Sequence, residues 1–222
     1  PKFGLTCLDE NVALVGISIE EGGVGGEILT ESDKVTASFI KAAARDSVFT
    51  LRVENNFIAS SPIILDIDTG DSDCALHLNL DIGRNCEFEL ITQISGSAPW
   101  TGFLRTGTVG NGSILNDVVI GHTDCGTLLR VDSISIGRDA QVKTGTVSSG
   151  SDNTKSDLRY KMADTGGHLN VLGSILSAND MHLDHHIEIH HEAPETFSRL
   201  NWHSACGGNS RTVGTGMLRV SK

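Results

Sequence analysis

The stretch Met181–Gly208, MHLDHHIEIHHEAPETFSRLNWHSACGG, holds six of the chain's nine histidines, together with Asp184, Glu188, Glu192 and Cys206. Imidazoles, carboxylates and a thiol are the side chains that bind borderline and soft metals, so the chemistry on offer is metal or sulfur chemistry. If residues 181–191 form a strand, alternate residues share a face. His182, Asp184, His186, Glu188 and His190 then point one way, and Leu183, His185, Ile187, Ile189 and His191 the other. The second set is mostly apolar and is expected in a core, with His191 satisfied there by a backbone carbonyl. Residues two apart on one face lie roughly 7 Å from each other. An ion on the His182, Asp184, His186 and His190 face would therefore need two of these plus a ligand from a neighbouring strand. Three readings of that face stand: a solvated or partner-facing strand, a site for transient iron or incidental zinc, and a pH-sensing tract. In the last, imidazoles that become positive near about pH 6 would pair with Asp184 and Glu188.

Cys206 precedes Gly207-Gly208 and so belongs to a turn, where a thiolate is accessible to a soft metal or to sulfur. It has no second thiolate beside it in sequence, so cluster binding would need ligands from elsewhere, and a purely structural role stands beside the functional one. Cys7, Cys74, Cys86 and Cys125 lie in or near apolar runs and are expected as small buried hydrophobes. Five cysteines with no C-x-x-C pair read as reduced thiols of an intracellular protein. No G-x-S-x-G elbow or H-E-x-x-H helix occurs, and HHEAP sets Glu192 after a strand, the wrong scaffold for a zinc protease. No catalytic set emerges; the expectation is a protein that is not an enzyme and has no tightly bound cofactor.

The elements that must carry these residues are short. Glycine is frequent at 25 residues and proline scarce at four, a mix suited to strands joined by tight turns. In ESDKVTASFIKAAARDSV, Val35, Phe39, Ala42 and Ala43 fall at helical spacing, Ser32 or Asp33 can cap the start, and Arg45 sits in the last turn, so one short helix is expected. The glycine-rich loop Gly22–Gly26 lacks the Lys-Ser/Thr of a phosphate loop and reads as a turn. From Phe49 onward the apolar period becomes two. VFTLRVENN, PIILDID, CALHLNLDIG, CEFELITQIS, ILNDVVIG, LLRVDSISIG, AQVKTGTVSSG, DLRYKM, HLNVLGSIL and HLDHHIEIHH each read as a strand. Internal similarity selects among all-β folds. IGRNCEFEL at Ile82 and IGRDAQVKT at Ile136 match, and IGHTDCGTLL at Ile120 is a looser copy. A recurring turn-then-strand unit is the signature of stacked coils. The reading is an all-β, right-handed parallel β-helix, with residues 1–48 as an N-terminal segment bearing the short helix and 49–222 as one continuous core.

The order of features resembles the SufB/SufD family of iron–sulfur cluster assembly proteins, SufD more than SufB, over residues 33–222. DSVFTLRVENNFIASSPIIL is similar to the family's short helix leading into an extended strand pair, and LNDVVIGHTDCGTLLRVDSISIGRDAQVKTGTVSSG to its central coils. The strongest part is the series Leu169, Asn170, Gly173, Asp184, His186, His191, Ala193, Pro194, Ser198, Arg199 and the run Gly216–Val220. The resemblance implies a scaffold that assembles with a like-folded partner, a SufB-like paralogue or a second copy of itself, and with a SufC-like ATPase. It also implies transient iron or an iron–sulfur cluster in the complex, and a cytoplasmic location, or the plastid stroma in a eukaryote. Family members continue past the point matching Lys222 with further coils and a helical portion. That portion docks the ATPase and holds a cysteine and a histidine important for cluster building. A truncated piece, half of a split protein or a divergent minimal member is therefore expected, and those residues are not carried onto this chain. Its His203 and Cys206 stand where the family has a lysine-rich turn.

The net charge of −11 lacks the electrostatic footprint of a nucleic-acid binder. No apolar run is long enough to cross a membrane as a helix, and nothing at the N-terminus resembles a signal peptide. Two alternatives remain. A β-helical carbohydrate-active enzyme would need a groove lined with acids and aromatics, which two Trp and one Tyr do not favour. A purely structural solenoid would show no metal dependence.

Overall fold

The computed structural model describes residues 1–9, 14–23, 28, 34–124 and 126–221. Ser32 and Asp33, Gly25 and Gly26 of the glycine-rich loop, and Cys125 lie outside these residues. The chain runs through β1 (Lys2–Cys7), β2 (Ile17–Glu21), α1 (Lys34–Ala43), β3 (Val48–Val53), β4 (Ile63–Asp68), β5 (Cys74–Ile82), β6 (Glu87–Ser95) and β7 (Trp100–Val109). It continues through β8 (Ile114–His122), β9 (Thr127–Ile136), β10 (Gln141–Ser149), β11 (Asn153–Met162), β12 (His168–Ser177), β13 (His182–His191), β14 (Phe197–Cys206) and β15 (Arg211–Val220).

Successive strands from β3 onward alternate between two sheets. One has the order β1-β4-β6-β8-β10-β12-β14, the other β15-β13-β11-β9-β7-β5-β3-β2. Each strand pairs in parallel with the strand two further on, giving a parallel β-solenoid of about six turns. Only β1 on β4 and β2 on β3 run antiparallel, so the N-terminal segment contributes a strand to each sheet. β1, β2, β7, β14 and β15 add to the strands expected from the sequence.

Strand alternation builds the core. In β6, Phe88, Leu90, Thr92 and Ile94 point inward while Glu87, Glu89, Gln93 and Ser95 are exposed. One corner is a vertical stack of inward residues, Val53, Ile82, Val109, Ile136 and Met162, continued by His191. Three or four residues past each of these, the chain turns through a left-handed residue: Asn56, Asn85, Gly112, Asp139, Gly166 and Glu195. Asn, Asp and Gly tolerate that conformation, which explains the turn chemistry of the sequence repeat. The copy between Ile82 and Ile136 is Val109-Gly110-Asn111-Gly112; Ile120-Gly121 lies inside β8 and is not a turn.

The helix is present, but a different face is buried. Ala37 and Ile40 pack on Leu104, Val131 and Leu129 of the second sheet's outer side, and Ala44, just past the helix, is also buried. Val35, Ala42 and Ala43 are exposed, and Phe39 meets only the edge of Trp100 at 5.6 Å. The sheet chooses the face, because Gly102 lets Ile40 approach where a Cβ would crowd it. The spacing Ala37, Ile40, Ala44 is as helical as the one first read.

The core holds charge. Arg105, fully buried on β7, donates from Nη1 and Nη2 to the Asp117 carboxylate on β8 of the opposite sheet (2.9 and 2.8 Å). Its Nη2 and Nε also donate to Asp132 on β9 (2.6 and 3.2 Å). Arg130 donates to both oxygens of Asp132 and to Thr146. Thr144 donates to Asp117 and lies 3.4 Å from the Tyr160 hydroxyl. Burial alone would raise the Asp132 pKa, but the guanidinium groups of Arg105 and Arg130 hold it down to about 2. Burial likewise works against the charge on Arg105, and Asp117 with Asp132 more than offsets it. Removing one member of a paired buried cluster strands the others and costs about 3–5 kcal/mol. Arg105→Met is expected to lower unfolding free energy by about that much in urea titrations. A loss under about 1 kcal/mol would mean the cluster does not hold the sheets together.

Candidate functional site

The strand β13 sets the histidines as alternation dictates, with Leu183, His185, Ile187 and Ile189 buried inward. On the outer side the environment changes along the strand. His182 is exposed, and Asp184 is half-buried with its carboxylate 4.0 Å from Lys155 Nζ. Further along, Glu188 is fully buried and His190 nearly so, so this end of the outer face is not solvated. The His190 Nε2 to Glu188 Oε1 distance is 2.5 Å. His186 Nε2 and Arg159 Nε each lie 3.8 Å from Glu188 Oε2. His190 Nδ1 faces Glu192 at 3.9 Å. A buried carboxylate is tolerable only with cationic or hydrogen-bonding partners, and here imidazoles and a guanidinium supply them.

The four residues of the sequence-derived ligand set are thus divided. His186 and His190 flank Glu188, while His182 and Asp184 sit at the other end beside Lys155. Among the described residues no three of His, Cys, Asp and Glu converge as a metal site. The two-residue repeat of a strand spreads its ligands too widely for one ion.

The inner histidines differ from one another. His191 is half-buried at the top of the corner stack, and its ring nitrogens meet the hydroxyls of Thr196 (2.8 Å) and Ser198 (2.9 Å), not a backbone carbonyl. It lines an open cleft of about 540 Å³ with Glu192, Thr196, Leu218 and Val220. His185 is fully buried, its ring 5.4 Å from Trp202, and among the described residues neither ring nitrogen has a hydrogen-bond partner. Burial, then the nearby Arg130 charge, pushes its pKa down to about 4. His77, buried under α1 against Thr106 Oγ1 (2.7 Å), is pushed down to about 4 by burial and by Lys41.

Cys206 ends β14 and is exposed, as its turn position predicts. Hydroxyl groups of Ser177 and Thr212, with Ser210 beside them, donate to its sulfur and lower its pKa. Cys7 and Cys86 are buried as expected, and Cys74 is half-buried. The sequence reading missed Arg105, Asp117, Arg130 and Asp132. Their signal was parity: in LLRVDSISI, Arg130 and Asp132 alternate in step with the core residues Ile134 and Ile136.

These features define a class: a parallel β-solenoid with a charged interior, a partly buried histidine–carboxylate strand and a reachable thiol at one corner. The chain belongs to the SufBD core family, matching the description "SUF system FeS cluster assembly, SufBD core domain" over residues 67–222. Neither a curated protein nor a solved structure gives a match.

Two predictions follow from the imidazoles and the thiol. Folded His77 and His185 stay neutral down to about pH 4, whereas the unfolded chain protonates them near 6.5. Their contribution is therefore complete above about pH 6.5 and is lost as pH falls towards 4, by up to about 3 kcal/mol each. Asp132 titrates below this window. Urea midpoints should fall across it in the wild type and fall about half as steeply in His185→Leu, which keeps His77; an unchanged slope in that variant would remove His185 as a cause. Cys206 should react with a maleimide or disulfide reagent faster than the buried Cys86, and Ser177→Ala with Thr212→Val should slow it by raising the thiol pKa.

Proposed function

We propose that the protein acts in SUF iron–sulfur cluster assembly as a non-catalytic scaffold, in a role closer to SufD than to SufB. The family match over residues 67–222 carries the assembly role. In this reading the chain joins a like-folded partner, a paralogue or a second copy, and a SufC-like ATPase. Iron and sulfide pass through the complex as cargo and not as a resident cofactor.

The geometry supports the like-folded partner and the cargo. Among the described residues β14 pairs only with β12 and β15 only with β13, and parallel strand edges of this kind are surfaces that a like-folded neighbour can extend. The exposed Cys206 lies on that coil with its thiolate favoured by hydroxyl donors, a suitable first contact for a soft metal or sulfur. The His186, Glu188 and His190 row offers two imidazoles, of which His190 is already oriented by the Glu188 carboxylate, and this pair can join a partner's ligand. The location that fits this role is the cytoplasm, or the plastid stroma in a eukaryote. Among the described residues no helix is long and apolar enough to cross a membrane.

The test is anaerobic purification with the chromosomal neighbours co-expressed, followed by native mass measurement and iron and acid-labile sulfide assays. The expected result is a complex containing the ATPase, with less iron and sulfide retained in Cys206→Ser and in His186→Ala/His190→Ala. A metal-free chain that ignores the ATPase would overturn the scaffold role.

A further inference from the structure

The two outer faces of the solenoid are treated differently. The second sheet's outer side carries α1 over Leu104 and Val131, whereas no described element packs over the seven-stranded sheet's outer side. Along the middle of that bare face runs one register column, Ile64, Ile91, Val118, Gly145 and Leu172. Its side chains remain partly exposed, and Ile120 and Val147 widen the column on one flank, with Val147 38% exposed. A contiguous apolar stripe on an otherwise polar sheet marks an interaction surface.

Charge on this face is segregated along the solenoid axis. The half formed by β4 and β6 carries Asp66, Asp68, Glu87 and Glu89, balanced only by Lys2 on β1. The half formed by β10, β12 and β14 carries Lys143 and Arg199 with His168 and His203, and no acid. Such a surface is complementary to itself when turned end for end. We propose that this face is the contact surface of a homodimer, two copies packed sheet on sheet with their solenoid axes antiparallel. The inference rests on the fold alone and not on the iron–sulfur role, and the surface is distinct from the strand edges of β14 and β15.

The register fixes the arrangement. Val118 is the middle member of the apolar column, so a twofold axis along β8 sets Val118 against its own copy. Ile64 then meets Leu172, and Ile91 meets Gly145, where the missing side chain makes room. Glu89 and Lys143, each one column over and one strand to either side of β8, come face to face across the axis. The contact is isologous, as a twofold requires, and follows the aligned packing of β-sandwiches. Five strands about 4.8 Å apart and nine residues of about 3.3 Å give roughly 700 Å² per copy. That approaches the roughly 800 Å² per partner of stable complexes.

Sedimentation equilibrium of the full chain, with circular dichroism and urea midpoints as fold controls, tests this. The wild type should dimerise, Val118→Arg should be monomeric with its fold intact, and Glu89→Lys should weaken association by about tenfold or more. Lys143→Glu should do the same, and the two together should restore association, because each copy then presents the exchanged pair. Should Val118→Arg unfold, the charge exchange on its own decides the matter, since both positions are exposed. A monomeric wild type overturns the proposal. So does a dimer that survives Val118→Arg or fails to respond to the charge exchange, the result expected of pairing through β14 and β15.

Discussion

Arg105 spans the interior. Its guanidinium takes Asp132 from its own sheet and Asp117 from the facing one, and Arg130 completes the set. Hydrophobic contact between two stacked sheets is non-directional and would tolerate sliding. A bidentate guanidinium–carboxylate pair does not, because its donors match two oxygens in one geometry. The cluster therefore fixes how the even-numbered strands sit over the odd-numbered ones at the centre of the solenoid. The parallel ladders then transmit that alignment to every other coil.

The position of the histidine strand follows from the same alignment. β13 lies two ladder steps beyond β9, so the inward residues above Arg130 are Ser156 and then His185. The interior becomes less apolar towards this end: the corner stack passes from Ile136 and Met162 to His191, and Trp202 reaches over Gly173 to lie against His185. Outside, Arg159 on β11 is the ladder neighbour of Glu188, which is how a carboxylate can be buried between two imidazoles. Cys206 belongs to the opposite end of β13, near the corner where His182 starts the strand.

Much of the architecture was legible because a half-buried strand writes its pleat into the sequence. HLDHHIEIHH and CEFELITQIS alternate cleanly, and the Gly-Arg-Asn and Gly-Arg-Asp turns mark the coil period. β7 was not legible because Arg105 and Gly107 occupy core positions, so WTGFLRTGTV shows no apolar alternation. The helix was legible as a helix, but its buried face was not. Alanine-rich faces are nearly interchangeable until the opposing surface is known, and Gly102 was the deciding residue. Of the site, the inward and outward assignment and the exposure of Cys206 could be read. The burial of Glu188 could not, because a strand's period says which side a residue faces and nothing about what lies over it.

The coil arrangement also governs how the molecule comes apart. Each coil touches only the one before and the one after, so opening is a zipper process and not a global event. Cooperativity is strongest where Arg105 clamps the middle, and the antiparallel β1 and β2 hold the first coil closed. Among the described residues β14 and β15 have ladder neighbours on one side only. Amide exchange would therefore be slowest around β7 to β9 and rise in the coils farther from the clamp. Cys206, on β14, lies in one of these outlying coils.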